Sequence, residues 1–128
     1  MISTQIKAAC QILSKNGLVG IPTETVYGLA ANAMNELAVS KIFELKKRPS
    51  YNPLIVHIGR VDDLEKYTQN IPEKAYQLAK AFWPGPLTLV LEKKPVVPDI
   101  ITAGKNTVGI RMPNHPVTLS LLKQLDFP

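Results

Sequence analysis

Thr107-Val108-Gly109-Ile110-Arg111-Met112 alternates polar or small residues with apolar ones. A period of two marks an extended strand whose successive side chains leave opposite faces. Val108, Ile110 and Met112 therefore share one face, and Thr107, Gly109 and Arg111 share the other. The first face suits a core. The second presents a cation next to a glycine, where a ligand can approach the backbone closely.

Working outward, Leu87 to Leu91 reads as a second strand, preceded by the turn Trp83-Pro84-Gly85-Pro86. Leu54 to Ile58 reads as a third, with His57 between Val56 and Ile58. Helical signals fall between the strands. Asp62 to Tyr67 suggests a short helix, and Pro72, at a first-turn position, opens another through Phe82. Asn35 caps a helix through about Lys46 with Ala38, Ile42 and Leu45 on one face, and Pro49 disfavours helical geometry at Arg48.

Nearer the N-terminus, Ile2, Ile6, Ala9, Cys10 and Leu13 recur at helical spacing before the stop signal Asn16-Gly17. Leu18 to Ile21 is a short strand that runs through Pro22 into a polar loop, and Pro116 opens a last apolar helix toward Leu125. This interleaving predicts an α/β or α+β fold: a twisted, open, mixed sheet flanked by helices, in one domain over residues 1–128.

With 45% hydrophobic and 20% charged residues, the composition is that of a packed globular domain. No apolar run is long enough to span a bilayer and the first residues form no signal-peptide core, so the expected address is the cytoplasm with no membrane partner. Fifteen Lys and Arg against 10 Asp and Glu give a formal charge of +5, which favours anionic partners, nucleotide or RNA. Cys10 is the single cysteine and reads as a small core residue. His57 and His115 lie far apart with no neighbouring Cys, so no protein metal site is expected.

The chain contains no G-x-x-x-x-G-K-[ST], no G-x-G-x-x-G and no H-E-x-x-H. Any phosphate chemistry must use another cradle. Four tracts stand out instead: Ile21-Pro22-Thr23-Glu24-Thr25-Val26-Tyr27-Gly28-Leu29; Lys46-Lys47-Arg48-Pro49 with Asn52-Pro53-Leu54; Trp83-Pro84-Gly85-Pro86-Leu87-Thr88; and Thr107 to Pro113. In content and order they closely resemble the YrdC family of L-threonylcarbamoyladenylate synthases, over essentially the whole chain.

The resemblance implies a reaction that joins L-threonine, bicarbonate and ATP into threonylcarbamoyladenylate and pyrophosphate, for tRNA modification. No protein nucleophile is needed, and magnesium is expected with the ATP. It implies ATP contacts at Lys46, Arg48, Asn52 and Thr107, with Lys46 and Arg48 in the catalytic role, and L-threonine contacts at Thr25, His57 and Arg111. Thr23, Thr25 and Tyr27 would line one wall if extended. Lys46 and Arg48, two apart on an extended chain, would reach one phosphate chain together.

Other readings stay open residue by residue. The basic triplet can be a solvated patch, Arg111 can point to solvent, Asn52 can be a turn residue before Pro53, and His57 can be structural. At the level of the domain, a non-catalytic module that binds tRNA or double-stranded RNA is the alternative. A carbamoyl-adenylate domain of the hydrogenase-maturation type is a further one, disfavoured by the single Cys. Relatives carry a Ser-x-Asn motif after the equivalent of Arg111 that is absent here, so a fragment is expected. Such a piece is expected to be inactive alone, to self-associate through an exposed sheet edge, and to feed a separate tRNA threonylcarbamoyltransferase when complete.

Overall fold

The computed structural model describes residues 2–22, 27–49 and 51–128. The elements run α1 (Ile2–Ser14), β1 (Val19–Pro22), β2 (Tyr27–Ala30), α2 (Glu36–Lys46), β3 (Ile55–His57), α3 (Leu64–Tyr67), α4 (Glu73–Phe82), β4 (Leu89–Glu92), α5 (Asp99–Thr102), β5 (Thr107–Arg111) and α6 (Pro116–Gln124). A 3-10 turn at Val61–Asp63 leads directly into α3.

The alternating stretch is the middle strand of the larger sheet, whose order is β3-β5-β4. β3 runs parallel to β5, with Val56 opposite Ile110 and His57 opposite Arg111, while β4 runs antiparallel, with Leu89 opposite Ile110. The expected mixed sheet is what forms. Val56, Leu89, Leu91, Val108 and Ile110 are all buried on one face, where α2, α3, α4 and α5 cover them with Val39, Phe43, Leu64, Tyr67, Ala79 and Ile101. Burying those side chains is the main force holding the sheet to its helices.

On the opposite face stand Ile55, His57, Val90, Glu92, Thr107, Gly109 and Arg111, as the strand registers require. Ile55 and Val90 remain 41% and 67% exposed there, so this face is open.

β1 and β2 form a separate antiparallel hairpin with Val19 opposite Ala30 and Pro22 opposite Tyr27. Ile6, Leu13, Ile21 and Leu121 build a second, smaller core where α1, α6 and β1 meet. The sequence marks Val26-Tyr27-Gly28 only as extended-looking, and β2 runs further, to Ala30, through Leu29 and Ala30 that carry no polar alternation. Between hairpin and β3 lies an apolar cleft of about 150 Å³ lined by Ile21, Leu29, Ile55, His57, Leu121 and Phe127 among others. At its rim the Pro128 carbonyl accepts from the Ala33 N–H at 3.0 Å.

Helix ends follow local chemistry. The Asn35 side chain caps α2 by accepting from the Ala38 N–H at 2.9 Å. α1 stops where Asn16 turns left-handed (φ 64°) and the Gly17 N–H reaches back to the Ile12 carbonyl at 2.9 Å. A Cβ on Gly17 would come within 2.7 Å of Ile12 Cγ2, so this stop needs glycine. Leu45, expected on the buried face of α2, is 68% exposed. The apolar stripe runs instead through Ala38, Val39, Ile42 and Phe43. Pro72 caps α4 from just outside rather than opening its first turn. No helix among the described residues is long and apolar enough to cross a membrane.

Candidate functional site

The open face of the larger sheet gathers three of the residues singled out in the sequence. Arg111 and His57 are direct neighbours across the β3–β5 pairing, and Thr107 lies on the same face of β5 with Gly109 between it and Arg111. All three are partly buried.

The Arg111 guanidinium is not aimed into bulk solvent. Its Nε and Nη2 both donate to Thr88 Oγ1, at 3.1 and 2.8 Å. The remaining N–H groups, those of Nη1 and the second on Nη2, form an end-on fork of the geometry that matches a carboxylate. The nearest acid on that face of β4 does not compete for it: Glu92 accepts from Gln69 Nε2 at 3.1 Å and Asn70 Nδ2 at 2.9 Å. Arg111 forms no ion pair with another described residue.

The second group lies at the end of α2. Lys46 is the last helical residue and is exposed, Lys47 takes the left-handed conformation (φ 51°), and the Arg48 N–H folds back to the Phe43 carbonyl at 2.9 Å. This is a Schellman stop with lysine where glycine usually sits. It corrects the expectation that Lys46 and Arg48 share one side of an extended run, because the left-handed residue between them reverses the chain.

The Arg48 side chain folds over the loop that follows, donating from Nε to the Asn52 carbonyl at 3.3 Å and from Nη2 to the Pro53 carbonyl at 2.7 Å. The Asn52 N–H bonds to the Pro49 carbonyl at 3.0 Å. Asn52 is thus a turn residue whose main chain holds Arg48. As at Arg111, no described residue takes a hydrogen bond from the Nη1 end of the guanidinium.

Thr23 and Thr25 lie outside the described residues, as does the Tyr27 side chain. Two threonines that the sequence reading passed over prove structurally tied to these tracts. Thr88 holds Arg111, and buried Thr118 on α6 donates its hydroxyl to the Pro22 carbonyl, fixing the chain just before the Thr23 tract. Thr88 had a signal, since Leu87, Leu89 and Leu91 alternate with it. Thr118 had none.

Among the described residues, no cluster of three or more His, Cys, Asp or Glu side chains is arranged to hold a metal ion. Tyr67, whose hydroxyl is pushed up to about 12 by burial first and by Asp63 and Asp126 second, belongs to the core under the sheet and not to the open face.

The Sua5/YciO/YrdC family model, described as "Telomere recombination", matches residues 11–128. The threonylcarbamoyl-AMP synthase of Bacillus subtilis is 54% identical over 125 residues, and that of Pyrococcus abyssi is 52% identical over 124. Each alignment takes in 97% of this chain and 36% of the relative. The crystal structure of P. abyssi Sua5 complexed with L-threonine superposes with a TM-score of 0.92 at 53% identity, covering 94% of this chain and 35% of that one. The chain therefore spans about a third of the length of these curated relatives, and it belongs to the Sua5/YciO/YrdC family.

Proposed function

We propose that the chain carries the threonine- and nucleotide-binding part of a threonylcarbamoyl-AMP synthase. The observation that carries this reading is the open-face pair His57 and Arg111, with one edge of the Arg111 guanidinium held by Thr88. A small amino acid fits beside such a pair, its carboxylate on the fork. The likeness to a Sua5 crystallised with L-threonine supports that choice of ligand.

In this reading, bicarbonate adds to the threonine amino group to give a carbamate and water. A carbamate oxygen then attacks the α-phosphorus of ATP. The new P–O bond replaces the one to pyrophosphate, which leaves. The chain's contribution is geometry and positive charge: Arg111 and His57 fix the amino acid, with Thr25 beside it, while Lys46 and Arg48 brace phosphate oxygens. Asn52 and Thr107 flank the nucleotide. Magnesium would enter with the ATP, on its phosphates. The product is then passed to tRNA by a separate transferase.

The test is pyrophosphate release by the protein at its full natural length. Release that requires both L-threonine and bicarbonate is expected. No release, together with a salt-sensitive RNA affinity that ATP and threonine leave unchanged, would replace this reading with the RNA-binding one.

A further inference from the structure

The turn Trp83-Pro84-Gly85-Pro86 reads from sequence as architecture without chemistry, yet the structure ties it to the strand that carries Arg111. The buried Trp83 indole donates from Nε1 to the Leu87 carbonyl at 2.8 Å, and the Gly85 N–H bonds to the Met112 carbonyl at 2.8 Å. One bond fixes the residue before Thr88. The other fixes the residue after Arg111.

β4 pairs with β5 so that Leu89 faces Ile110, and the same register continued by one residue sets Thr88 opposite Arg111. The Thr88 hydroxyl then meets the Nε–Nη2 edge of the guanidinium at 3.1 and 2.8 Å. Its methyl points toward Gly109, where an added Cβ would lie 3.1 Å from Thr88 Cγ2. A β-branched side chain with both branches engaged in this way has a single χ1 available.

We propose that Thr88 is a positioning residue for the anion site, acting through Arg111. It holds one edge of the guanidinium so that the end-on fork is presented to the ligand carboxylate before the ligand arrives. Without it, a long side chain beside open solvent would sample several rotamers and lose entropy on each binding event. Gly109 serves the same arrangement by leaving room for the Thr88 methyl. This inference rests on the reading of Arg111 as the threonine clamp.

The experiment compares L-threonine dissociation constants, and the KM values for threonine and ATP, in Thr88→Val, Thr88→Ser and Arg111→Lys forms of the full natural chain. Thr88→Val keeps the shape and removes the acceptor, so threonine affinity should fall about tenfold, with the KM for ATP moving less than about twofold. Thr88→Ser keeps the hydroxyl and should recover most of the loss. If Thr88→Val does not fold, Thr88→Ala carries the same expectation.

Unchanged threonine affinity in Thr88→Val, with Arg111→Lys clearly weakened, overturns the role of Thr88 and leaves the site reading standing. Equal losses in the Val and Ser forms, or equal losses for threonine and ATP, reduce Thr88 to a packing residue and also overturn it. Intact threonine binding in Arg111→Lys, or none in the unaltered protein, removes the site reading and this inference with it.

Discussion

The two arginines of the candidate site are held by the same edge and by different means. Arg111 and Arg48 each use Nε and Nη2 to grip a neighbour, and no described residue takes a hydrogen bond from the Nη1 end of either. Arg111 grips a side-chain hydroxyl next to a strand of the main sheet. Arg48 grips two main-chain carbonyls of the loop that follows its own helix. One clamp stands on the core, whereas the other helps to hold its own support in shape, so equivalent damage should register differently at the two places.

The largest effect is expected under Arg111. Ile110, fully buried and next to it on β5, should cost about 2–5 kcal/mol of unfolding free energy when changed to Ala, from lost burial plus the cavity left behind. Urea unfolding measures this. A loss below about 1 kcal/mol would mean that the sheet is not the firm platform the comparison requires.

Arg48→Ala should act on binding and on the local chain together. A hydrogen bond to a charged group is worth about 1.5–3 kcal/mol, so ATP affinity by calorimetry should fall roughly ten- to hundredfold. Amide exchange across residues 51–54 should quicken, because two carbonyls lose their donor. Threonine affinity should stay put. Faster exchange with unchanged ATP binding would leave Arg48 as a loop fastener alone.

The smallest effect is expected at Lys47. A non-glycine residue at φ 51° carries backbone strain that glycine relieves, partly offset by glycine's greater freedom in the unfolded chain. Lys47→Gly should therefore stabilise the protein by about 1 kcal/mol or less, seen as a rise in Tm. A fall in Tm would show that the lysine stem contributes packing that outweighs the strain.

The sequence was most legible where the determinants are local. The alternation of Thr107 to Arg111, the Asn35 cap and the Asn16-Gly17 stop each act within a few residues, and each appears where expected. Legibility failed where a distant partner or an unusual conformation decides. The left-handed Lys47 is not a lysine preference, so the extended-chain argument for Lys46 and Arg48 could not anticipate it.

α5, a four-residue helix behind Pro98, is too short to display a period. The bond between Arg111 and Thr88 joins residues 23 positions apart, which no local pattern records. Leu45 was misplaced for a simpler reason: the stripe on α2 turns through Val39 and Phe43, and an exposed leucine costs a helix little.

The exposed Ile55 and Val90, on either side of Gly109, bear on how water behaves at this face. Hydrocarbon beside a guanidinium gives the first hydration layer few partners, so water against Ile55 and Val90 is less firmly held than water over a polar floor. A ligand laying its own methyl or ring edge there displaces loosely bound solvent while its charged end meets the fork. Docking should then draw on released hydration as well as on charge, with the negative heat-capacity change that accompanies burial of apolar surface. Salt would screen the charged part of that attraction and leave the dewetted part in place.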